Sequence, residues 1–184
     1  MIVQKAGGSR VGASFPMLAS QIITLPVDDV VRCSISVPLS PSETFETFRH
    51  DFFRWWPHEL TLSGQSIESL FFEGRRGGML WERGPEGFRV DWARVLRWLP
   101  PQKMVLRWHI GPSHMPQPNI ASASQVEIRF TPEDGARTRI DLEHSEISRH
   151  GRGAGEYRTL LASKNGWPYI LDAFARHCET RGAG

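Results

Sequence analysis

A chain of 184 residues, 40% hydrophobic and 23% charged, is long enough to bury one ordinary core and has the composition of a globular domain. Its formal charge of +2 sits in an N-terminal stretch, because Lys5 and Arg10 precede the first acidic residue, Asp28, and the remainder balances 20 basic against 20 acidic residues. A neutral domain without a basic block lacks the electrostatic footprint of a nucleic-acid binder, and no apolar run approaches the roughly 20 residues that span a bilayer.

Residues 1–27 are rich in Gly, Ser and Ala and carry no sustained apolar period, so a poorly ordered extension is expected there and a domain over 28–184. From Val30 strict alternation begins, with Val31, Cys33, Ile35 and Val37 on one face, which predicts a half-buried first strand. Ser40-Pro41-Ser42-Glu43 then combines a capping Ser, a Pro at the first helical position and a Glu three residues after the cap. The crowded aromatics Phe45, Phe48, Phe52, Phe53, Trp55 and Trp56 fit two short helices ending before Pro57.

Six further strands are predicted, at 67–73, 79–83, 88–98, 104–110, 126–130 and 140–144. Gly77-Gly78 and Asp134-Gly135 mark turns, and Pro100-Pro101 stops the fourth strand. The segment from Gly111 to Ala123 holds three prolines and is expected to act as a lid-like loop, with His114 and Met115 as its polar and soft apolar groups. Trp167, Ile170, Leu171 and Phe174 fall at i, i+3, i+4 and i+7, the inward face of a C-terminal helix starting at Asn165-Gly166. Helices on one side of an antiparallel sheet define an α+β domain.

Several pieces in order and spacing resemble the Hsp90 ATPase activator homologue family of the START-like, or SRPBCC, helix-grip superfamily. They are Phe45 through Trp55-Trp56-Pro57, Gly77-Gly78 before Trp81-Glu82, Asp91 through Leu96, Val126 through Phe130, Leu142-Glu143-His144 and Gly166-Trp167. The resemblance covers about Val30 to Cys178. It implies a curved antiparallel sheet of seven strands wrapped around a long C-terminal helix, with a cavity between them. The fold hosts carriers, cyclases, toxin-sequestering proteins and chaperone activators, so it does not choose a function by itself.

Seven Trp are more than a core of this size needs, and six lie between Trp55 and Trp108. Rigid rings offer large contact area to an apolar ligand, although many buried Trp are ordinary core. Trp81, Trp92, Trp108 and Trp167 are assigned to the pocket and Trp98 to the core. Trp56, Met79, Ile170, Leu171 and Phe174 are further candidate lining residues. Glu82 and His144 are candidates to orient a polar ligand head, with structural satisfaction the plainer reading of the His and a solvent-facing Glu82 the outcome of a one-residue register shift.

The remaining His residues show no metal-ligand spacing, and Ser145 and Ser148 lack the strand-to-helix setting of a nucleophile elbow. Cys33 and Cys178 form neither a redox pair nor a zinc site, which suits a reducing, cytoplasmic location. No catalytic residue, metal or cofactor is expected. The function expected is non-enzymatic binding of a small hydrophobic or aromatic molecule, without nucleic-acid partner or membrane insertion. Two alternatives are a chaperone-interaction module, which the family name implies and which adds a chaperone or a homodimer as partner, and an enzyme acting on a polyketide-like substrate.

Overall fold

A computed structural model describes residues 29–117, 119–134 and 136–182. The predicted N-terminal extension lies outside them, as do Pro118 and Gly135. The elements run β1 (Val30–Val37), α1 (Pro41–His50), α2 (Phe52–Trp55), β2 (Ser69–Phe72), β3 (Met79–Arg83), β4 (Arg89–Leu99), β5 (Lys103–Trp108), β6 (Ser124–Glu133), β7 (Arg137–Ser145), α3 (Ala154–Ala162) and α4 (Trp167–Gly182). Short 3-10 turns fill several connections, among them 58–60 and 147–150.

The seven strands form one antiparallel sheet in the order β1-β7-β6-β5-β4-β3-β2. Consecutive strands from β2 to β7 are neighbours, and β1 joins the far edge beside β7, so α1 and α2 must cross the sheet to connect β1 with β2. α1 begins as its sequence dictates: Ser40 Oγ accepts from the Glu43 amide, and the Glu43 carboxylate accepts from the Ser40 amide at 3.1 Å. Gly78 has no room for a side chain, since a Cβ there would lie 2.4 Å from the Glu73 carbonyl oxygen, and Gly77 beside it takes φ +80°. The β2–β3 hairpin therefore requires both glycines.

Burial follows the pleat. Leu80 and Glu82 of β3 turn towards the helices, while Met79 and Trp81 face the opposite side. Two bulges, at Leu80/Trp81 and between Val95 and Arg97, break the alternation of β4 and bring Ala93 inward next to Trp92. The inner face packs against α1, α2 and α4. Phe48 meets Trp55, Phe130 and Phe174 at ring-centroid distances of 4.7, 5.8 and 5.0 Å, and Asp51 ties the end of α1 to α4 by accepting from His177 and Arg181.

The C-terminal half departs from expectation in one respect. The predicted C-terminal helix is α4, and a further helix, α3, precedes it in a stretch to which no element was assigned, with a sharp turn between them at 163–166. Gly166 makes this turn, since a Cβ there would lie 2.3 Å from the Leu161 carbonyl oxygen.

Candidate functional site

A cleft of about 610 Å³ opens between the inner faces of β4 and β5, the 56–62 segment, α3 and the start of α4. Trp56, Trp92 and Trp108 form its floor. Trp56 and Trp92 lie 5.2 Å apart, and Trp108 lies 6.4 Å from each. Leu60, Phe88, Met115 and Leu160 stand around it, each at least 38% exposed. Tyr157, Leu161 and Ile170 complete the helical wall.

Two of the three floor rings, Trp92 and Trp108, are held by their own N–H groups. Trp92 Nε1 donates to Glu82 Oε2 at 2.9 Å, and the same carboxylate accepts from the Leu62 and Ser63 amides and the Ser63 hydroxyl. Glu82 is completely buried, and its four donors are neutral groups. One carboxylate thus fixes both a floor ring and the loop that carries Thr61 and Leu62 to the cleft. Trp108 Nε1 donates to the Tyr157 hydroxyl at 3.1 Å, which donates to the Ile110 carbonyl at 2.9 Å. Burial pushes the pKa of the Tyr157 hydroxyl well above the usual phenol range, so it stays neutral. The Trp56 N–H is buried without an acceptor among the described residues.

Behind this wall runs a directional chain of hydrogen bonds. Indole can only donate, so Trp167 Nε1 at 3.0 Å makes His144 Nδ1 an acceptor and leaves the imidazole proton on Nε2. His144 Nε2 then donates to Ser124 Oγ at 2.6 Å, and that hydroxyl donates to His150 Nε2 at 2.8 Å. Burial, with His150 adding repulsion, pushes the His144 pKa down to about 3, and burial also lowers that of His150 against the attraction of Asp29. The chain ties β6, β7, the 147–150 turn and α4 together around α3.

Of the residues predicted to bind ligand, Trp56, Trp92, Trp108 and Ile170 line the cleft. Met79 and Trp81 do not, because the β3 pleat turns them to the outer face, where Trp81 stacks on Phe71 at 3.9 Å and Arg89 lies over its ring at 4.1 Å. Glu82 and His144 support the site from behind. Trp167, Leu171 and Phe174 are core residues, at most 2% exposed, because α3 rather than α4 supplies most of the helical wall. Sequence reasoning missed Tyr157, Leu160 and Leu161, although their i, i+3, i+4 spacing was readable. Ser113, His114 and Met115 do lie at the cleft, on a tight tongue closed by Gln117 N to His109 O at 2.8 Å.

No family model and no curated protein matches this chain. Among solved structures, it is similar to an anthrahydroquino-γ-pyrone synthase at 32% identity and a TM-score of 0.60, over 80% of this chain and 95% of that one. It is also similar to a self-sacrificing resistance protein from Micromonospora echinospora, at 24% identity and a TM-score of 0.61 over 85% and 97% of the two chains. The Aha1 dimer from Colwellia psychrerythraea shares 14% identity and a TM-score of 0.54 over 84% and 98%. The last two likenesses concern the fold, whereas the first joins fold to sequence over nearly the whole of the synthase. With its seven-stranded sheet closed over a C-terminal helix, this chain belongs to the START-like (SRPBCC) helix-grip superfamily.

Proposed function

We propose that the protein binds a flat, multi-ring aromatic molecule in the cleft floored by Trp56, Trp92 and Trp108. One observation carries this reading. Six large hydrophobic side chains are exposed among the described residues, and four of them, Leu60, Phe88, Met115 and Leu160, belong to this one cleft. Exposed apolar surface concentrated around a concave aromatic floor is the arrangement of a ligand site rather than of scattered surface hydrophobics.

The energetics suit such a ligand. Removing about 200 Å² of aromatic surface from water contributes about 5 kcal/mol at about 25 cal/mol/Å², before the cost of lost motion is subtracted. Anchoring the Trp92 and Trp108 N–H groups limits that cost, because the rings are set before the ligand arrives. The 32% identity to an anthrahydroquino-γ-pyrone synthase supports the same ligand class.

Titration of intrinsic Trp fluorescence with planar three-ring aromatics tests the proposal. Saturable quenching is expected in the wild type, with affinity at least about tenfold weaker in Leu160→Asp, whose charge would stand where ligand surface is buried. Absence of saturable binding, or a variant that binds as well as the wild type, would overturn it. Ring-closing chemistry on such a molecule is a second reading, favoured by the same synthase. Mass spectrometry of the released compound separates the two, because a binder returns it unchanged.

A further inference from the structure

We infer that the cleft selects a neutral or cationic aromatic over an anionic one, with the Glu59 carboxylate at its edge as the partner of a ligand ammonium group. The inference rests on the reading of the cleft as a ligand site and adds the ligand's charge. The chain carries 22 Lys and Arg, yet none of the 18 described residues that line the cleft is Lys or Arg. The ionisable side chains of the lining are Glu59, His114 and Tyr157, and only Glu59 is a carboxylate.

Three features give the cleft its sign. Glu59 is exposed, its side-chain hydrogen-bond donor is the neutral Tyr169 hydroxyl, and that bond, with a smaller attraction from His58, holds its carboxyl below the usual range. Glu82 is a second carboxylate, buried directly behind Trp92 and solvated by four neutral donors rather than by a cation. Indole and phenol rings present electron-rich faces, which attract an ammonium group and repel a carboxylate. An anionic ligand would meet all three with no cationic side chain in the lining to offset them. A protonated amine on an aromatic scaffold would bury its rings against the floor and keep its charge at the wet edge beside Glu59.

Three compounds that share one ring system isolate the effect: anthracenylmethylamine, anthracenylmethanol and anthracene carboxylate, titrated into the full chain at low and at high salt. The amine is expected to bind about threefold to tenfold more tightly than the alcohol, and the carboxylate about tenfold more weakly than the alcohol. High salt should narrow both gaps. Glu59→Gln, at an exposed position where folding should be unaffected, should bring the amine to within about twofold of the alcohol. If the carboxylate bound as tightly as the amine, the charge inference would fail while the cleft remained a ligand site. An amine preference untouched in Glu59→Gln would overturn the role of Glu59. If none of the three bound saturably, the ligand-site reading itself would fail.

Discussion

The imidazole of His144 sits with no exposure between Trp167 and Ser124, and its folded-state pKa of about 3 lies below the ordinary value of about 6.5. The unfolded chain therefore takes up this proton first as pH falls. Stability linked to His144 is complete above about pH 6.5 and is lost progressively from there towards pH 3, by about 2 kcal/mol at pH 5. Urea melts at pH 7 and pH 5 should show this slope in the wild type and a shallower one in His144→Gln. At Glu82 the consequence is structural. Glu82→Gln would turn an –NH2 group towards donors that now share one carboxylate, so a loss of about 2 to 3 kcal/mol is expected in denaturant melts, together with a shifted Trp emission.

At the scale of elements, α3 and α4 divide the labour that one helix was expected to do. Phe174 on α4 is fully buried and edge-packed on Phe48 and Trp55 at 5.0 Å each, so Phe174→Ala should cost about 3 to 5 kcal/mol, the loss typical of a packed core. Leu160 on α3 is 38% exposed, and Leu160→Ala should change stability by less than about 1 kcal/mol while weakening aromatic binding. Measuring both variants by melts and by fluorescence titration separates core from wall. The tongue at 109–117 has its own signature in hydrogen exchange. The Gly111 and Gln117 amides, bonded to Met115 and His109, should be protected without ligand, whereas that of Ser113 should slow only when the cleft is filled.

For the whole molecule, the chain closes on itself through β1 beside β7, and Asp29 locks this seam by accepting from the Ser148 amide at 2.8 Å and from its hydroxyl. Removing residues 1–26 leaves those bonds intact, and the melting temperature is expected to move by no more than a few degrees. A larger fall would mean that the N-terminal residues contribute to the domain. A chaperone-module role rests on the likeness to Aha1, and at 14% identity that likeness concerns fold alone.

Apart from α3, the order of strands and helices was legible because the other elements carry local signals: Val31 to Val37 alternate, Ser40 to Glu43 cap, and Trp167 to Phe174 recur at helical spacing. Such signals need only neighbours in sequence. The aromatic lining of the candidate cleft was legible in part, since Trp56, Trp92 and Trp108 all reach its floor. Three things depended on contacts between residues far apart in the chain. The register of β3 between β2 and β4 placed Leu80 and Glu82 inward and Trp81 outward. A weakly amphipathic α3, entered at Gly153 without a side-chain cap, became a wall only because the sheet and α4 left a space beside it. The chain from Trp167 through His144 and Ser124 to His150 joins positions up to 43 residues apart, and its proton direction follows from which atoms meet. Local period fixes what each segment becomes, whereas burial and hydrogen-bond polarity at a shared site exist only once the sheet has curved around its helices.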